Sequence, residues 1–428
     1  MSKNKNLHKF KNNLLLPHSY NDDFLQSMTR IVHLLRWVGI PGMEGIIWKI
    51  WGLIVLSLLL IMEGEAIWKV VKALAGWAID LQGHRSVTAR LGGTMFYSAA
   101  LLCLIQCWRL SHSWREISKY WASIEWTLSV QYVPRDPNIK KRIYTVAICV
   151  SALAIVEHLV AILSSFDFSC EISTCFRKFV LKSHGFMILE HEYSIWIGLP
   201  VFFMSLIATV HWNLRDLIIM LTSMGLTSRY RRLNQCVKIV ITKNNNIDEP
   251  NKANNNTEFS RMYLWRKIRE AYVKQAMLVR KVDSSLGSLI LLSAFFNFYF
   301  ICLQLLLRIT PGGSVFSLNQ IYHTVSLTWV CLRTGYSVIA AADVNKCSKM
   351  ALPYIYECQT QYYNIEIERL QKQLSRDYVA LTGMGFFYLN RTFVLQMAGA
   401  VVTYVLVLIQ YDDSDPVLPT NSTNITLF

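Results

Sequence analysis

Apolar residues fall in blocks of membrane length, separated by polar and mostly basic stretches. The blocks run over 46–63, 91–108, 143–164, 195–222, 285–307, 320–342 and a split segment, 378–410. A helix needs about 20 residues to cross the hydrocarbon core, and each block approaches that length. None alternates with the period of two that a β-barrel strand requires. The pattern predicts an all-α membrane protein with seven transmembrane helices.

Helical periodicity continues outside the blocks. Over 22–40, Phe24, Met28, Ile31, Leu35 and Val38 share one face, as in an amphipathic helix at the inner membrane surface. Pro41-Gly42 then ends it within an N-terminal segment, 1–45. Transmembrane helices one to four occupy 46–225. The fourth continues through Ile241 into TKNNNIDEPNKANNNTE, residues 242–258, whose composition reads as a flexible loop. Periodicity resumes at Phe259 and enters helices five and six, 285–342. The sixth likewise extends from Ala341 past Tyr363 to Arg376 as a charged helix with only Pro353 interrupting, and the segment 343–391 follows the span. The extensions over 226–284 and 343–376 carry Tyr263, Ile268, Tyr272, Met350 and Ile355. These apolar positions need partners, and a compact helical anchor bundle supplies them. Gly383 and Gly385 each weaken a helix by about 1 kcal/mol. They predict a short helix ending near Tyr388 and a fresh spanning helix over 392–411, followed by the tail 412–428.

Composition and charge refine this picture. Of 428 residues, 53% are hydrophobic and only 17% charged, too few charges for a soluble chain of this size. The net charge of +15 would suit nucleic acid, but most Lys and Arg lie in alternate inter-span segments. That bias puts the N-terminus in the cytoplasm and the C-terminus outside. The tail has no Lys or Arg, carries Asp412, Asp413 and Asp415, and holds sequons at Asn421 and Asn424. The first span is expected to act as the insertion signal. Cys170 and Cys175 share an outside loop, where a disulfide and two free thiols are both open readings. No metal-ligand spacing, cofactor motif or catalytic constellation is present, so neither a cofactor nor an enzyme is expected.

The last block has an unusual polar face. Thr392, Gln396, Gly399, Thr403 and Gln410 recur at helical spacing among Val, Leu, Ile and Phe. In lipid such a face must meet another helix or water. As a pore lining, Gln410 would ring the outer mouth, and Val407 would form an apolar constriction that gates by dewetting. As a packing seam, Ala398, Gly399 and Ala400 would admit a close neighbour. The residues alone leave both open.

Thr403-Tyr404, five apolar residues, then Gln410-Tyr411 resembles the terminal motif of insect gustatory receptors, with Tyr411 where Phe is usual. Gly383-Met384 and Met397-Ala398-Gly399 resemble the sugar-receptor branch. The resemblance implies a tetrameric ligand-gated cation channel in the plasma membrane of sensory neurons, homomeric or mixed with related subunits. It also implies a pore lined by the last helix and a ligand pocket in the outer half of the spans. A sugar pocket needs convergent polar groups and aromatic plates. Glu157, His158, Tyr193, Trp196, Asn297, Gln304, Tyr322, His323 and Thr324 are the candidates. Tyr193 and Trp196 also suit an interfacial aromatic belt, and His323 and Gln304 an interhelical hydrogen bond. A receptor for bitter compounds would need a more apolar pocket. A G-protein-coupled receptor would need its N-terminus outside, and no inverted repeat suggests a transporter.

Overall fold

The computed structural model describes residues 23–41, 45–75, 77, 87–127, 136–164, 172–185, 187–188, 190–245, 255–309 and 318–412. Among the described residues the regular elements are helices, apart from one antiparallel bridge between Thr382 and Tyr388. In chain order they are α1 (Asp23–Leu34), α2 (Ile46–Leu74), α3 (Val87–Thr127), α4 (Ile139–Leu163), α5 (Ile172–His184) and α6 (Ile195–Asn245). There follow α7 (Asn255–Ile309), α8 (Leu318–Lys349), α9 (Leu352–Tyr356), α10 (Ile365–Arg376) and α11 (Arg391–Asp412). Helices α2, α3, α4, α6, α7 and α8 are long and apolar enough to cross a membrane, and α11 is the seventh apolar helix. The chain is a multi-pass membrane protein.

Two spans are far longer than a bilayer. At 1.5 Å per residue α6, with 51 residues, and α7, with 55, reach about 77 and 83 Å. The hydrocarbon core is only about 30 Å thick. Their excess lengths form a bundle with α9 and α10 beyond the spans, here called the basic end. Trp265, Ile268, Tyr272, Ile355 and Leu370 are buried there, whereas Tyr263 and Met350 remain exposed. Tyr272 Oη donates to Asn234 Oδ1 at 2.6 Å, and Asn234 Nδ2 donates to the Cys347 carbonyl at 2.9 Å. The expected loop 242–258 is shorter than its composition suggested. Helix α6 reaches Asn245 and α7 starts at Asn255; residues 246–254 lie outside the described set.

Two local expectations are corrected. The apolar face of α1 is seated on protein instead of lipid. Phe24 stacks on Trp121 with ring centroids 4.4 Å apart. A Cβ on Gly225 would come within 2.4 Å of the Phe24 ring, so this glycine lets α1 close on α6. The second correction concerns 378–388, where no helix forms. The chain makes a tight hairpin: Leu389 N–H donates to the Leu381 carbonyl at 2.8 Å and Gly383 N–H to that of Phe387 at 3.0 Å. Met384 and Gly385 have φ of 54° and 81°, left-handed values that a helix cannot contain. Asp283 on α7 holds the turn, accepting from Thr382 N at 2.6 Å and Thr382 Oγ1 at 2.8 Å. Asn390 then caps α11 by accepting from Phe393 N at 2.9 Å.

Candidate ligand cavity and pore helix

At the end of the spans opposite the hairpin, α3 to α8 enclose a cavity of about 250 Å³. Glu157 and His158 come from the last turns of α4, Gln304 from the end of α7, and Tyr322 and Ser326 from the start of α8. Tyr97, Phe179, Trp212 and Phe300 supply aromatic walls. Ser326 Oγ donates to Glu157 Oε1 at 2.7 Å. Thr209 Oγ1 and His158 Nδ1 lie 3.3 Å apart, and His158 Nε2 has no partner among the described residues. His323 Nδ1 donates to Gln304 Oε1 at 2.9 Å, which orients the amide at the cavity edge. Hydroxyls, an amide, an imidazole and a carboxylate thus converge between aromatic faces. That set can bind a polyol by hydrogen bonds and ring stacking.

The structure brings together four of the sequence candidates as lining, Glu157, His158, Gln304 and Tyr322, with His323 directly behind. It leaves four elsewhere. Trp196 is 84% exposed on the outer surface of α6. Tyr193 packs beside Gly198, with the Arg177 guanidinium 5.6 Å from its ring centroid. Thr324 is half-buried outside the cavity lining, and its hydroxyl donates to the Gln320 carbonyl at 2.8 Å. Asn297 is wholly buried in an ionic cluster outside the cavity lining. Tyr97, His184, Ser205, Thr209, Trp212 and Ser326 line the cavity without having been singled out from the sequence. Cys175 is disulfide-bonded; Cys170, Asn421 and Asn424 lie outside the described residues.

Against the cavity wall lies the ionic cluster. Arg333 on α8 pairs with Asp216 on α6, Nε to Oδ2 2.7 Å, with neither side chain exposed. Arg333 also donates to Asn213 Oδ1 at 2.5 Å and to Asn297 Oδ1 at 3.2 Å. Arg215 reaches the same Asn297 oxygen at 3.1 Å. Asn297 Nδ2 returns to both Asp216 oxygens at 3.2 Å. Both guanidinium groups lie over the Trp212 ring, at 4.7 Å for Arg215 and 5.0 Å for Arg333. Such stacking favours a desolvated cation. A second cavity, about 40 Å³, lies under α1 among Met28, Ile31, Leu35, Trp114 and Leu217. Its apolar walls suit no polyol.

Helix α11 packs on α7 and α8 through one face only. Val401 and Val405 are buried, with Phe393, Val394 and Met397 beside them. The polar stripe points the other way: Thr392, Gln396, Gly399, Thr403 and Gln410 are all exposed, as is Val407. Nothing lies within 4 Å of a Cβ built on Gly399. The close-packing reading therefore has no partner within this subunit among the described residues.

The profile of the trehalose receptor family matches residues 46–418. The chain belongs to that family. It falls within the sugar branch of the insect gustatory receptors, a family of receptors and not of enzymes. It is similar to the gustatory receptor for sugar taste 64a of Drosophila melanogaster, 29% identical over 337 residues, which are 75% of this chain and 69% of that one. The gustatory receptor 5a for trehalose of the same fly is 27% identical over 322 residues, 74% of this chain and 69% of that one. Among solved structures, the insect olfactory receptor OR5 from Machilis hrabei superposes with a TM-score of 0.65 at 14% identity, covering 91% of this chain and all of that one. The receptor shares that fold.

Proposed function

We propose that this receptor is a subunit of a sugar-gated, nonselective cation channel in the plasma membrane of sensory neurons. The basic end lies in the cytoplasm with the N-terminus, and the cavity opens toward the outside. The observation that carries this reading is the outward polar face of α11. Two Gln and two Thr directed away from the subunit's own core fit a water-filled axis shared with other subunits. Four subunits, identical or mixed with related receptors, place α11 at that axis. Val407 forms the apolar constriction, Gln410 the outer ring, and Asp412, Asp413 and Asp415 attract cations to the mouth.

The ligand class follows from the cavity. Its polar set matches a neutral polyol better than an apolar tastant, and the relatives named for sugar taste and for trehalose support that assignment. Sugar bound between Glu157, His158 and Gln304 favours a state in which α11 turns and Val407 leaves the axis. The test is whole-cell current from cells expressing the chain, against a panel of sugars including trehalose and a panel of bitter compounds. Currents are expected for sugars. Responses confined to bitter compounds, or none when related subunits are co-expressed, would refute the reading.

A further inference from the structure

The cavity and α11 touch a common apolar cluster. Ala99, Trp212, Phe296, Ile301, Cys302, Val330, Val401 and Val405 form one buried group, with Phe300 and Met397 packed on it. Trp212, Phe300 and Val330 of this group also line the cavity, whereas Val401, Val405 and Met397 belong to α11. The opposite cavity wall, including Tyr97 and Phe179, belongs to a larger core that meets α11 at its first turn, through Phe393 and Val394. Among the described residues it is the Trp212 wall that is continuous with the middle of the helix assigned to the pore, at Met397, Val401 and Val405.

Within that wall Trp212 has the most constrained ring. Phe300 meets it edge-on with centroids 4.5 Å apart. Arg215 and Arg333 lie over it, and Arg333 is fixed by Asp216 and Asn213. Glu157, the cavity carboxylate, makes no direct ion pair with these arginines among the described residues but feels the Arg333 charge at longer range. The cluster thus holds two cations against Asp216, with a second carboxylate, the one a ligand reaches, at its edge. A ligand that engages Glu157 changes the balance holding the guanidinium groups, and with it the seat of Trp212. A contiguous element with two arrangements, biased from both ends, is what coupling requires.

We infer that Trp212, on the fourth span, is the positioning residue that transmits ligand occupancy to α11. The inference rests on the cavity being the ligand site and α11 the pore helix. Its test uses the full chain in two arms. In the first, without ligand, hydrogen exchange is followed over 397–407, the part of α11 packed on the Trp212 group, in Trp212→Leu and in Phe179→Leu, which alters the other wall. Trp212→Leu is expected to raise exchange there about tenfold or more, and Phe179→Leu less than twofold. Equal effects, or no effect of Trp212→Leu, would overturn the inference. Should Trp212→Leu not purify as a folded chain, Trp212→Phe takes its place, with an expected rise of about threefold and the same overturning results.

In the second arm trehalose is the probe. Trp212→Phe, which keeps an aromatic wall toward the ligand, is expected to cut maximal current at saturating trehalose about tenfold. A shift in half-saturation with maximal current unchanged would make Trp212 a pocket contact and nothing more. A wild-type chain with neither trehalose-dependent protection nor current counts against the proposed function, and the ligand-free exchange comparison still decides the role of Trp212.

Discussion

Arg333 Nε lies 2.7 Å from Asp216 Oδ2 in the middle of the helical bundle, with both side chains fully removed from solvent. Breaking such a pair strands a buried charge, which costs about 3–5 kcal/mol. Asp216→Ala is expected to lower the unfolding temperature of the detergent-purified receptor and to reduce its surface level. Replacing both partners with apolar residues, Asp216→Leu with Arg333→Met, should recover much of the loss. A double variant as unstable as the single one would show that the pair does more than balance charge.

Glu157 has its Oε1 occupied by Ser326 at 2.7 Å while the residue lines the cavity. Glu157→Gln keeps the shape and removes the charge. A hydrogen bond to a charged group contributes about 1.5–3 kcal/mol, so the sugar dose response should move right by roughly tenfold or more. Trp196, 84% exposed and away from the cavity, is the matched control. Trp196→Ala should shift the same curve less than about twofold. A larger effect at Trp196 than at Glu157 would move the ligand site off the cavity.

The exposed stripe of α11 predicts an ion-handling phenotype. Gln410→Ala should change permeability ratios among monovalent cations while leaving sugar half-saturation nearly unchanged. Val407→Ser, which wets the constriction, should raise current in the absence of sugar. Unaltered permeability in the first and unaltered basal current in the second would argue that this face meets lipid or a packing partner.

The hairpin between α10 and α11 predicts a stability effect far from the cavity. Thr382 Oγ1 donates to Asp283 and accepts from Gly385 N at 3.0 Å. Thr382→Val removes both bonds and should destabilise the fold by about 1–3 kcal/mol, read as thermal unfolding in detergent. Gly385→Val forces a β-branched residue to a φ of 81° and should be worse.

Acid should loosen the basic-end bundle before the spans. The Glu366 carboxyl lies below the usual range, chiefly because Arg269 Nε donates to it at 2.7 Å, with Arg369 assisting. A carboxyl lowered in the folded state favours folding when ionised. Its contribution is complete above the ordinary glutamate value, about 4.3, and fades as pH falls through the lower folded value. Unfolding temperature should drop on acidification toward that region, and Glu366→Gln should flatten the drop. Identical pH profiles for the two proteins would exclude this pair as the cause.

Membrane-length apolar blocks and the periodicity beyond them made the spans and the long extensions legible from the residues. Side-chain pairing across helices was less so. Asn297 looked like a ligand group because it is a lone amide in an apolar run. It is instead the hub between Arg215, Arg333 and Asp216, whose charges within spans already demanded partners. Glu157 and His158 were legible as costly polar residues in lipid. Trp212 and Phe179 were not, because an aromatic residue in a span carries no mark of facing a cavity. The hairpin escaped notice because two glycines weaken a helix without saying what replaces it. Here Asp283, far away in sequence, selects the turn.

That turn has a mechanical consequence. Helices α3, α6 and α7 run unbroken past the spans into the bundle at the basic end, so torque applied to any of them is shared with that bundle. Helix α11 begins only after a pinned reversal of the chain and inherits no such stiffness. The turn of α11 that the proposed gating calls for would therefore load the hairpin, like a shaft seated in a bearing, and not the bundle beyond it.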